Sequence, residues 1–215
     1  MTHVTDRTRL RPPSVEPCSP VVAPGGDRSA ALASLASEIA TCTLCPLART
    51  RTHVVVYRGS QRPRVVFVGE APGAEEDRQG VPFVGRSGRI LDQALEQLGG
   101  RLGPFGILNV LKCRPPENRF DPRAAATCRP YLDRQLALLG ARLLVPLGAR
   151  ALGALDPGAP PILRAAGSPR STPLGAIFPL IHPAAALRSR RLKERWEHDL
   201  RELRSWLETA PLEIL

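Results

Sequence analysis

Four cysteines pose the first chemical question. Cys42 and Cys45 form a Cys-x2-Cys pair, and Cys113 and Cys128 stand fifteen residues apart further on. Four thiolates can hold a zinc ion or an iron–sulfur cluster, and spacing alone leaves both open. Two buried free cysteines would also account for the first pair taken by itself. Cys113 lies between Lys112 and the prolines 115 and 116, in a stretch that a metal clip would fix where regular structure does not. A fifth cysteine, Cys18, sits in a proline-rich lead segment and reads as incidental. A cytosolic setting argues against disulfides.

Carboxylates come next. Gly69 to Asp77 reads GEAPGAEED, with Glu70, Glu75, Glu76 and Asp77 around a turn whose glycines, Gly69 and Gly73, let the backbone approach a ligand. The segment lacks a Gly-Lys-Ser/Thr ending and a G-x-G-x-x-G pattern, so it is not read as a nucleotide loop. Acids at such a place can orient water or stabilise a cation. A structural reading competes at each position: Glu70 could cap loop amides, and the other three acids could be solvated. Phe83 beside Pro82 could be core packing, Asn109 a strand-end cap, and His182 before Pro183 a turn residue.

These groups need elements to gather them. Apolar runs over residues 64–70, 106–111, 142–147 and 176–181 read as strands, with Pro146 at the end of its strand because it lacks a ladder donor. Helical periodicity marks a segment capped by Ser29 and running into Cys42. It marks others over 87–98, within 122–139, over 148–155 and over 192–207. Residues 156–174 read as a loop, and residues 1–28, with five prolines, as a disordered tail. Alternating strands and helices imply an α/β fold, a mostly parallel sheet covered on both faces. Ligands bind such sheets beyond the carboxyl ends of the strands, where Gly69–Asp77, Asn109–Arg119 and His182–Arg188 all fall.

The formal charge is +10, carried by 28 arginines and two lysines. Genomic base composition would suffice to explain arginine in place of lysine, so distribution matters more than the total. Residues 46–64 net +5, residues 65–100 net −3, and residues 101–134 net +4. A solvated arginine-rich surface and a phosphate-tracking surface around an acidic pocket both fit this alternation. No window holds eighteen apolar residues and no apolar run follows the first charges, so neither a membrane span nor a secretory signal is expected. The expected protein is a cytoplasmic, bacterial-type monomer without membrane partners.

Taken together, GEAPGAEED, GVPFVGRSG (80–88), NVLKCRPPENR (109–119) and IHPAAALR (181–188), with the four cysteines, closely resemble the family 4 uracil-DNA glycosylases. The likeness spans about Cys42 to Trp206 and rests on the order and spacing of four separate motifs. It implies one three-layer α/β/α domain over residues 29–215, with a four-stranded parallel sheet, that removes uracil from DNA. It also implies a [4Fe-4S] cluster on Cys42, Cys45, Cys113 and Cys128, ahead of zinc. By the same resemblance Phe83 stacks on the flipped base and Asn109 reads uracil. His182 bonds uracil O2, Glu70 positions water, and Glu76 stands near the base's C5 edge, where it would exclude thymine.

Flipping a nucleotide costs a few kcal/mol, which a wedge and phosphate contacts must offset. Leu187 is the expected wedge and Arg188 its phosphate-contacting neighbour. Lys112, Arg114, Arg119 and the arginines at 49, 51, 58, 62 and 64 are the other candidate phosphate clamps. Phe120 is an insertion relative to the family pattern and puts the path to Cys128 in question. The Arg-Arg-Ile-His insert of a covalently trapping relative is missing from this sequence, which favours turnover over a protein that binds uracil DNA without releasing the base.

Overall fold

A computed structural model describes residues 27–210. Cys18 and nearly all of the expected tail lie outside the described residues. The tail's last two positions do not: Asp27 caps the first helix, α1 (Arg28–Ala40), by accepting from Ser29 N–H at 2.9 Å. The helix therefore starts earlier than a Ser29 cap would give, because aspartate two positions before is the better-placed acceptor.

The chain then runs through β1 (Arg58–Gly59), β2 (Val65–Gly69), α2 (Ala74–Gln79), α3 (Arg86–Leu98), β3 (Phe105–Asn109), α4 (Pro122–Leu139) and β4 (Leu143–Pro146). It continues with α5 (Ala149–Leu155), α6 (Ile162–Ala165), β5 (Arg170–Thr172), β6 (Gly175–Ile177), α7 (Pro183–Ala186) and α8 (Arg190–Thr209). The sheet order is β1-β3-β2-β4-β6-β5. Its centre, β3-β2-β4-β6, is the expected set of four parallel strands. Two short antiparallel strands, β1 and β5, extend it at the edges. At two and three residues, they are too short to show an alternating pattern in sequence. The segment read as a loop over 156–174 likewise holds α6 and β5.

Strand β2 is buried along its whole length, as a central parallel strand must be. Its side chains alternate between two cores. Val65 and Phe67 pack with Leu91, Leu95 and Leu98 of α3 and with Trp196, Leu200 and Leu203 of α8. Val66 and Val68 pack on the other face with Leu132, Leu136 and Leu139 of α4 and Leu152 of α5. Leu35 and Ile39 of α1 lie against Tyr131 and Leu138 of α4, outside that layer. Among the described residues no helix is long and apolar enough to cross a membrane.

Because the four central strands run the same way, Gly69, Asn109, Pro146 and the chain after β6 end on one side. Strand β6 stops at Ile177. Phe178 still donates to Leu144 O at 2.9 Å, but Pro179 has no N–H to offer, and the chain rejoins the sheet through Leu180, bridged to Leu147. One ion pair, its acid buried and its arginine about 34% exposed, ties α8 to the segment around α6. Asp199 of α8 is fully buried and accepts from Arg195 Nε at 2.6 Å. Arg195 also donates to Leu163 O and Ala166 O at 3.2 and 2.7 Å. Burial pushes the Asp199 carboxyl upward, and the Arg195 guanidinium opposes it. Removing the acid takes a charge-assisted hydrogen bond from a partly exposed arginine that keeps its two carbonyl acceptors, so Asp199→Ala should lower the unfolding free energy by about 2 kcal/mol. Chemical denaturation checks this; a change below about 1 kcal/mol would mean that the pair is not holding the segment.

Candidate functional site

A pocket of about 140 Å³ opens at the carboxyl ends of β2 and β3. Asn109, Phe83, His182, Glu76, Ala71, Gly73 and the start of α3 line it. Wider hollows of about 260 and 310 Å³ lie between α3 and α8, but no buried polar side chain lines either.

Asn109 closes the floor. It is 1% exposed, and neither its amide oxygen nor its amide nitrogen has a partner among the described residues. A buried polar group left unsatisfied costs about 1–3 kcal/mol, so this amide is set to receive a ligand offering both a donor and an acceptor. Gly69 makes the arrangement possible. A Cβ at that position would collide with Asn109 Oδ1 and stand 2.6 Å from the Phe83 ring.

Phe83 is buried, and its backbone is left-handed at φ 56°. For a bulky residue this costs on the order of 1–3 kcal/mol and persists only where neighbours impose it. Its ring centroid is 5.9 Å from that of His182, with the planes 31° apart, so the two rings form adjacent walls. His182 is the N-cap of α7, and its Nδ1 accepts from Ala184 N–H at 3.1 Å. That bond requires an unprotonated Nδ1, leaving the proton on Nε2. Burial pushes the imidazole down to about 4; the Arg188 charge acts in the same direction and Glu76 against it.

Both Glu76 oxygens are engaged. Oε1 accepts from the amides of Val84 and Gly85 at 2.9 and 2.8 Å, and Oε2 from that of Gly73 at 3.1 Å. The carboxylate thus joins two turns of the pocket wall. Glu70 lies one residue beyond Gly69, half-buried at the end of β2 and outside the pocket lining. Burial raises its pKa, and Arg150 opposes the rise. The rest of the acidic segment does not face the pocket. Glu75 is exposed and paired with Arg78, while buried Asp77 accepts from Thr52 N–H at 2.9 Å.

The four cysteines meet at a second place, around an apolar cavity of about 20 Å³. Three chain segments bring them there: the turn after α1, the loop after β3, and the second turn of α4. Arg51 Nη1 donates to Cys113 Sγ at 3.3 Å. Lys112, fully buried, donates from Nζ to Asn109 O at 2.5 Å. Burial lowers its pKa to about 8, with Cys128 and Cys113 opposing the fall. Burial raises both of those thiols, opposed by Arg51 at Cys113 and Lys112 at Cys128. Four soft donors with two cations beside them suit a group bound through thiolates. Among the described residues no three His, Cys, Asp or Glu side chains are grouped to hold a single ion.

Phe120 lies under the Arg150 guanidinium, 5.1 Å from ring centre to carbon. The insertion is absorbed before Asp121 caps α4, and Cys128 still reaches the cavity. Leu187 is exposed rather than packed inward, and Arg188 beside it is exposed too. Arg114 bonds Asn118 at 2.9 Å, and Arg119 pairs loosely with Glu117 on the open surface. Of the five arginines over 49–64, only Arg49 and Arg62 are exposed; Arg51 and Arg58 bond within the fold, and Arg64 Nε is buried. Sequence reading missed Arg86 and Ser87 at the pocket wall, Arg58 behind Phe83, and the burial of Lys112. The GRSG segment carrying the first two was a legible signal.

The uracil DNA glycosylase superfamily model matches residues 56–204. The type-4 uracil-DNA glycosylase of Thermotoga maritima is 41% identical over 159 residues, which cover 73% of this chain and 83% of that protein. That of Archaeoglobus fulgidus is 36% identical over 181 residues, covering 80% and 91%. That of Sulfurisphaera tokodaii is 35% identical over 184, covering 80% and 83%.

The histidine geometry has a direct consequence in solution. A folded pKa near 4, below the ordinary 6.5, disfavours protonation in the native state. His182 should therefore stay neutral, as the Nε2–H tautomer, from about pH 8 down to about 4, and stability should fall as pH drops from 6.5 through that window. Ring ¹⁵N shifts check this; protonation near pH 6.5 would contradict it.

Proposed function

The chain belongs to the type-4 uracil-DNA glycosylases of the uracil-DNA glycosylase superfamily, and we propose that it hydrolyses the N-glycosidic bond of uracil in DNA as a monofunctional base-excision repair enzyme, leaving an abasic site. The observation that carries the reading within this chain is the buried, unpartnered amide of Asn109. Its oxygen can accept from uracil N3–H while its nitrogen donates to O4. Cytosine presents the opposite polarity at both atoms and would leave two buried clashes.

Phe83 stacks on the extruded base. As the bond from C1′ to N1 breaks, its electron pair stays with uracil and charge gathers on O2. The His182 Nε2–H, neutral and fixed in that tautomer, donates there. Glu70 positions the water that adds to C1′ and stabilises the cationic sugar, with the Arg150 charge opposing the upward push of burial on its carboxyl; the water's proton passes to the carboxylate or to solvent. Glu76, held by three amides, gives the wall at the C5 edge a fixed shape, and there it would exclude the methyl group of thymine. Leu187 fills the gap left in the duplex, and Arg188, Arg114 and Arg119 contact phosphates. The enzyme acts on cytoplasmic DNA as a monomer, with residues 29–215 as its domain.

Cys42, Cys45, Cys113 and Cys128 would hold a [4Fe-4S] cluster. The cavity they share and the cations beside it support a group bound through thiolates, and the family 4 likeness favours the cluster over zinc. Bound there, it would crosslink the three chain segments that carry these cysteines.

Incubation with a uracil-containing oligonucleotide, then alkali, should cleave the strand and release free uracil. Stoichiometric retention of the DNA without free uracil would instead identify a binding protein. Asn109→Asp should reduce uracil excision about 10- to 100-fold and weaken discrimination against cytosine; unchanged discrimination would remove Asn109 from its role. Purified protein should be brown and contain iron and sulfide, with both lost along with thermal stability in Cys113→Ala. Stoichiometric zinc in place of iron would refute the cluster.

A further inference from the structure

The sequence puts Arg58 among the candidate phosphate clamps, but the structure turns it inward. Its backbone is held at the sheet edge, where β1 pairs with β3. From there Nη1 donates to the Phe83 carbonyl at 3.0 Å, and Nη2 to Asp92 Oδ1 of α3 at 2.6 Å. The Phe83 carbonyl is enclosed on its other side by Gly88, where any Cβ would collide with it. The two amides that follow Phe83 are those taken by Glu76. A left-handed phenylalanine is thus gripped on both sides, by a guanidinium at its carbonyl and by a carboxylate at the next two amides.

We propose that Arg58 is a positioning residue for the base-stacking ring: its fork ties the Phe83 carbonyl to α3 and holds the ring over the pocket before a base enters. The inference rests on reading the pocket as a uracil site. Two acceptors on different segments require a planar fork; a lysine ammonium would serve them poorly at once. A guanidinium spent in this way is also not free to follow DNA phosphates.

The test uses full-length Arg58→Met and Arg58→Lys, with Asp92→Asn as a second route to the same fork if Arg58→Met does not fold. On a single-stranded uracil oligonucleotide, Arg58→Met should lower kcat/KM about 10- to 100-fold, with Arg58→Lys restoring little of it. Combined with Phe83→Leu, the loss should not exceed that of Phe83→Leu alone. Backbone ¹³C shifts of Phe83 in the DNA-free protein should leave their left-handed values. That readout needs no activity, so it separates failure of this inference from failure of the functional reading. Affinity for uracil-free duplex, and its salt dependence, should not change. A weaker hold on uracil-free duplex with a salt slope smaller by about 1, and unmoved Phe83 shifts, would make Arg58 a phosphate clamp and overturn the proposal. Additive losses with Phe83→Leu would overturn it as well.

Discussion

Asn109 sits at the end of a central parallel strand with its amide buried and unanswered, and the surrounding structure keeps it that way. Gly69, its partner in the neighbouring strand, removes the one Cβ that would fill the space. Phe83 and His182 close the sides with rings rather than hydrogen-bonding groups aimed at the amide. Lys112 holds the Asn109 carbonyl from behind, so the backbone carrying the amide is tied down without its side chain being satisfied. An arrangement that leaves a polar group in deficit is unfavourable alone. It becomes favourable when a ligand of matching polarity arrives, which is how a small pocket discriminates bases of nearly equal shape.

The parallel core was legible because β2 and β4 are short, wholly buried and mostly aliphatic runs, and α3 and α8 were legible from their one-sided apolar spacing. The edge strands were not, since pairing there is decided by backbone contacts such as the close approach at Gly59 rather than by side-chain pattern. The pocket residues were legible as motifs. Their roles divide less cleanly: nothing in GEAPGAEED distinguishes Glu76, which binds three amides, from Glu75, which is on the surface, because the difference lies in which face of a six-residue helix looks inward. The inward bonds of Arg58 were not legible for the same reason. Charge and sequence position are visible in a string of residues, but the direction of a long side chain is not.

The net charge takes a different meaning once folded. Two of the five arginines over residues 46–64 are used internally, at Cys113 and at Phe83, while Arg86 at the pocket wall and Arg119 and Arg188 in the loops beyond are exposed. Arginine suits the internal tasks, since its fork can serve two acceptors and keep its charge when partly buried.

The short edge strands also bear on how the molecule behaves among its own copies. A long, flat outer strand would expose a row of unpaired amides and carbonyls to another sheet. Here one edge offers two residues, the second a glycine at φ 124°, and the other offers three before the chain turns back. With so little ladder exposed at either side, a sheet built from aliphatic strands presents a poor template for edge-to-edge aggregation.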